Sequence, residues 1–173
     1  MEERLSIGDL TTRVSAGLQA GILAGLAMLA WIMTGAWVQG QSFWTIPNLL
    51  AYTFHGNRMY RPDFVWRTWS GLGFHFLLAG LLGMLFALLV PRGTRAAAAA
   101  MLGVLFSLAL YALAGIWLWD RINPPMHHYA RQPFVLAGYC VFGVLLGSLP
   151  LFREQAERSV QPPRWESSSE RES

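Results

Sequence analysis

Four long stretches of this chain carry no Asp, Glu, Lys or Arg, and this constrains the fold more than any motif does. They run from about Ser15 to Val38, Trp69 to Val90, Ala96 to Trp119 and Phe134 to Phe152. Each is within or close to the roughly 17–25 apolar residues that a helix needs to cross about 30 Å of hydrocarbon. Inside a bilayer no water is at hand to satisfy a backbone N–H or C=O, so spanning segments of this length close their own hydrogen bonds as helices. The expected fold is therefore all-α: a polytopic membrane protein, a bundle of four transmembrane helices. The chain then divides into an amino-terminal tail (1–14), a membrane domain (15–152) and a disordered tail (153–173) rich in Glu, Ser, Arg and Pro.

Composition agrees. Only 13% of the 173 residues are charged, where a soluble domain carries roughly 25%. The formal charge of +3 does not point to nucleic acid, because the 13 basic residues are scattered and form no run. All 13 are Arg, a usage that fits a GC-rich bacterial genome. The single cysteine, Cys140, excludes an internal disulfide and any paired-cysteine metal motif. The first apolar segment follows the acidic residues Glu2, Glu3 and Asp9 and is too long for a cleaved leader, so it is expected to stay as an anchor.

Arginine placement sets the expected orientation. Arg4, Arg13, Arg92, Arg95, Arg153, Arg158, Arg164 and Arg171 fall on one side, and Arg58, Arg61, Arg67, Arg121 and Arg131 on the other. Positive residues favour the cytoplasm, so both termini are expected inside, in a bacterial inner membrane. Trp37, Trp69, Trp117 and Trp119 sit at span ends, as interfacial indoles do.

The two outer loops are unusual. The first contains an apolar run, Phe43 to Phe54, with Pro47 suited to a helix start and Gly56 to its end. Too short to span, it reads as an interfacial helix lying flat. The second holds Asn123-Pro124-Pro125, read as a helix breaker. A faint repeat relates Tyr60-Arg61-Pro62-Asp63-Phe64-Val65, entering the second span, to Tyr129-Ala130-Arg131-Gln132-Pro133-Phe134-Val135, entering the fourth. Parallel repeats of this kind occur in membrane proteins.

Lipid is as apolar as leucine, so helices associate in it through close packing and hydrogen bonds. Gly17, Gly21 and Gly25 form a smooth stripe on the first span, and Gly143 and Gly147 repeat the spacing on the fourth. The stripes serve packing within one bundle or a face for a second copy. The stretch Gly17-Leu-Gln-Ala-Gly21-Ile-Leu-Ala-Gly25-Leu-Ala-Met28, with Gly71-Leu-Gly73-Phe-His75 and the spaced Gly80 and Gly83, is similar to the first two spans of uncharacterised four-helix bacterial inner-membrane families, the YagU-like proteins among them. The resemblance implies a multipass protein of unassigned function and carries over no functional residues.

Chemistry has few places to sit. His55, His75, His127 and His128 all map to the outer half, with Met126 there and Cys140 at a depth similar to that of His75. Imidazole, thioether and thiolate suit copper or haem iron. Against that, four histidines is an ordinary number, loop histidines are usually solvated, and adjacent His127 and His128 point apart on regular structure. An imidazole within a span generally finds a partner in the bundle. No cofactor is therefore expected; a haem- or copper-binding redox or metal-handling protein is the alternative. No span has an acidic or basic residue in its interior, which argues against proton-coupled transport. Gly-x-Ser-x-Gly, His-Glu-x-x-His and a phosphate-binding Gly-rich loop with Lys are all missing.

The aromatic and arginine-rich outer loops are the remaining clue. Trp44, Arg58, Tyr60, Arg61, Trp66, Arg67 and Arg131 are expected to form an outer cap, which serves either as ordinary interfacial anchoring or as a docking surface for a membrane complex or a lipid headgroup. The expectation is a non-enzymatic accessory or scaffold subunit, in contact with the lipid bilayer and with a homo-oligomeric or larger membrane assembly.

Overall fold

The computed structural model describes residues 7–59 and 61–160. It is helical, with no strand among the described residues. Four helical stretches are long and apolar enough to cross a membrane: Gly8–Val38, Thr68–Leu89, Ala96–Ile122 and Pro133–Arg158. The chain is a four-span integral membrane protein.

Helix α1 (Ile7–Val38) is the central element, packing against α3 (Thr68–Leu89), α7 (Pro133–Leu146) and the start of α8 (Leu149–Val160). The third span, which begins with α4 (Ala96–Leu113), rests chiefly on α7. The helices therefore run in the order α3, α1, α7, α4, and the hairpin neighbours α3 and α4 barely touch along their lengths. Their rings meet once, where Phe86 lies 5.4 Å from Phe106. The turn between them is tight, and Gly93 (φ +76°) takes the left-handed conformation that a side chain would resist.

Both glycine stripes are used inside the chain. A Cβ on Gly17 would stand 2.7 Å from the Gly83 carbonyl oxygen and 2.8 Å from Met84 Cα, so α1 and α3 meet backbone to backbone. Gly21 and Gly83 face each other on the same seam, and Gly25 faces Ala79. On the second seam a Cβ at Gly143 would sit 2.6 Å from the Gly103 carbonyl oxygen and 2.6 Å from Val104 Cα, and Gly147 abuts Ala100 of α4. Close approach multiplies dispersion contacts, the main source of helix association in lipid.

The spans extend further than the charge-free runs. α1 begins at Ile7 rather than Ser15, because Asp9 suits a helix's first turn and bonds Arg92 of the α3–α4 turn at 2.9 Å. The fourth span is followed after Gly147-Ser148 by α8, which reaches Val160, where a disordered tail from residue 153 was expected. The cause is Arg153. Only 7% exposed, it donates to the carbonyls of Ala87, Val90 and Pro91 and so caps the end of α3. The remainder of the expected tail, 161–173, lies outside the described residues.

The third span also departs from expectation. After α4 the backbone widens into a π-helical turn (Ala114–Leu118) before the short α5 (Trp119–Ile122). The extra residue per turn re-aims the side chains. Trp117 stays exposed with the Arg121 guanidinium 4.8 Å from its ring, but Trp119 turns inward and is buried rather than interfacial.

Candidate functional site

The end of the bundle away from the α3–α4 turn is closed by a cap made from the segments that join α1 to α3 and α4 to α7. The short apolar run forms α2 (Thr45–His55), ending at Gly56 with φ +58°. One face of α2 packs onto the bundle, burying Ile46, Pro47, Asn48, Leu50 and Ala51. Ile46 and Leu50 join Leu29, Ile32 and Met33 of α1, with Trp119 and Met126, in an outer core. Gly71 permits this, since any Cβ there would collide with the Pro47 carbonyl.

Two buried asparagines lock the cap. Asn48 donates to the carbonyls of Arg61 (2.8 Å) and Asp63 (3.1 Å) and accepts from Thr68 Oγ1 (2.7 Å), fixing the loop over α2. Asn123 donates to the Leu49 carbonyl (2.7 Å) and Thr53 Oγ1 (2.9 Å), while its oxygen accepts from the Met126 N–H (3.1 Å). Asn123-Pro124-Pro125 ends α5 at Ile122, as expected of a breaker, and also starts a helix: Asn123 is the N-cap and the prolines open α6 (Pro124–Ala130), where their missing N–H groups cost nothing. Sequence reasoning missed both asparagines as organising residues. The Asn-Pro signature could have revealed the second; nothing local distinguishes the first.

Several of the expected cap residues gather on this platform. Arg58, Arg61, Trp66 and Arg67, with Val65, line one surface recess of about 330 Å³. Trp66 is 69% exposed, and Arg67 stacks over its ring at 4.8 Å. Phe64 stands edge-on between Trp44 (4.9 Å) and Trp69 (5.7 Å), so the half-buried Trp44 supports the patch from behind. Arg131 is exposed at the end of α6 and does not line this recess. Tyr60 lies outside the described residues.

A second recess of about 460 Å³ adjoins the first through Arg61 and is lined also by Gln41, Met59, His128 and Tyr129. Gln41 Oε1 and Tyr129 Oη are buried with no partner among the described residues. Burial pushes the Tyr129 hydroxyl above its ordinary pKa, so it remains a neutral donor.

Beneath the cap lies a cavity of about 90 Å³, lined by apolar side chains together with His75, Tyr139, Trp119 and Met126. His75 Nε2 donates to the Gly25 carbonyl at 2.8 Å, across the α1–α3 seam. Tyr139 packs edge-on against Tyr111, with centroids 5.3 Å apart. Cys140 does not line this cavity.

His75 and Met126 share the cavity, but the candidate ligands form no single group. His55 Nε2 pairs with Ser70 Oγ at 3.1 Å, His75 is engaged within the bundle, and His127 and His128 sit on α6 with rings 5.8 Å apart and crossed at 79°. Among the described residues no three His, Cys, Asp or Glu side chains form a metal-binding group. At the cap, arginine and exposed indole side chains stand together around one recess. Comparison with known protein families, curated proteins and solved structures finds no match to this chain.

Proposed function

We propose that this chain is a non-enzymatic accessory subunit of a bacterial inner-membrane assembly, and that it docks its partner through the outer cap. The observation that carries the proposal is the recess where Arg58, Arg61 and Arg67 surround the exposed Trp66. Trp and Arg are the side chains most enriched in binding hot spots. Three guanidiniums around one indole suit a carboxylate-bearing segment, because each guanidinium can hold a carboxylate through two parallel bonds. The platform beneath is held rigid by Asn48 and Asn123, so little side-chain or loop order has to be lost on docking.

The glycine stripes support the same choice of face. Both are spent on seams within the chain, which leaves the cap as the surface suited to a partner. In this reading the termini are cytoplasmic and the cap faces outward, in keeping with the arginine distribution.

The test is purification from native membranes in mild detergent, with the particle weighed. The wild type is expected to run as a complex heavier than the monomer. Trp66→Ala with Arg67→Ala is expected to release a folded monomer. A wild type that runs alone, or a complex indifferent to both substitutions, would refute the proposal.

A further inference from the structure

The opposite end of the bundle holds a different cluster. Asp9, Thr12 and Arg13 of α1, Arg92 of the α3–α4 turn, and Arg153 and Glu157 of α8 enclose a chamber of about 50 Å³. Three guanidiniums face it. Arg92 is paired with Asp9, and Thr12 Oγ1 donates to its own helix at the Gly8 carbonyl. Arg153 spends both terminal nitrogens on the carbonyls ending α3. Two donors are left over: Nε of Arg13 and Nε of Arg153 are both buried and have no acceptor among the described residues.

A guanidinium nitrogen can only donate, and a buried cationic donor without an acceptor is costly. The chemistry that satisfies both at once is an oxyanion with several acceptor oxygens. The exposed Glu157 forms no salt bridge with either arginine among the described residues, so it trims the positive field without filling the role. The chamber has room for one phosphate group. A wider recess of about 470 Å³, sharing Arg92, Arg153 and Glu157 and adding Arg95, continues from it.

We propose that this chamber binds the phosphate of an anionic phospholipid headgroup, with Arg13 and Arg153 as its ligands and the adjoining recess holding the rest of the headgroup. Its place supports the lipid source: it sits where the apolar α3 ends, at headgroup level, on the arginine-rich face. Basic pockets between helices on that side of a membrane take anionic lipid headgroups. The bound phosphate would clamp α1, the α3–α4 turn and α8 together.

The experiment uses the full chain in mild detergent. Mixed micelles containing dioleoylphosphatidylglycerol, or dioleoylphosphatidylcholine, are added; thermal unfolding is followed by tryptophan fluorescence and retained lipid by native mass spectrometry. Phosphatidylglycerol is expected to raise the melting temperature and to be retained, and phosphatidylcholine to do neither. Arg13→Gln, which removes no bond within the described residues, should weaken phosphatidylglycerol on the order of tenfold. Glu157→Gln should strengthen it, an opposite sign that a merely structural role would not produce. A parallel arm adds inorganic phosphate alone; protection equal to that of the lipid would overturn the lipid source in favour of a soluble phosphate. Equal retention of the two lipids, or unchanged retention in Arg13→Gln, would overturn the site.

Discussion

Replacing Gly143 of α7 with alanine tests how the third span is held against the fourth. α4 leans chiefly on α7, and the seam closes where Gly143 meets Gly103 and Val104. An added methyl would stand 2.6 Å from the Gly103 carbonyl oxygen and 2.6 Å from Val104 Cα. Both are backbone atoms that cannot rotate aside. Ordinary contact lies near about 3.5 Å, so the helices have to part by about 1 Å, enough to forfeit a quarter to a half of each contact along the seam. Overpacking of this kind costs about 1–3 kcal/mol. At about 2–4 °C per kcal/mol for a chain of this size, the melting temperature should fall by several degrees. The control is Gly73→Ala in α3, where a methyl meets nothing within 4 Å. There the gain in helix propensity, up to about 1 kcal/mol, leaves stability unchanged or raised. Melting in detergent, followed by tryptophan fluorescence, measures both. Equal losses in the two variants, or none in Gly143→Ala, would refute the packing argument.

Asn123→Ala strips α6 of its cap and leaves the Leu49 carbonyl and Thr53 hydroxyl short of a donor, so it should lower stability by about 2–3 kcal/mol in the same melt. Tyr129→Phe removes a buried hydroxyl that has no partner among the described residues; it should be neutral or stabilising by up to about 1 kcal/mol, and a clear loss of stability would show that the hydroxyl is bonded. With the start of α1 and Arg153 of α8 both beside the α3–α4 turn, a carboxyl-terminal green fluorescent protein fusion should fluoresce and a carboxyl-terminal alkaline phosphatase fusion should be inactive; the reverse pattern would invert the proposed orientation.

The spans were legible because crossing lipid is a demand on composition and length alone. What stayed hidden depends on partners distant in sequence. Gly17 and Gly143 announce close packing, but the stripe does not say which helix approaches it, and both turn out to face helices of the same chain. Arg153 looks like the first residue of a polar tail until it is seen to cap a helix that ended 64 residues earlier, at Leu89. Asn48 is a surface residue by type and a buried one by circumstance, because its three partners come from the loop and helix that fold back over it. Trp119 reads as an interfacial anchor from its place at a span end, and only the π-helical turn before it explains why it is core. The outer arginines were legible as a group; that Arg58, Arg61 and Arg67 share one recess while Arg131 stands apart was not.

The account rests on four apolar helices lodged in a bilayer, and washing isolated membranes with alkaline carbonate measures that directly. The protein is predicted to stay with the membrane pellet and to leave it only when detergent is added. Release into the carbonate supernatant would contradict the account at its base.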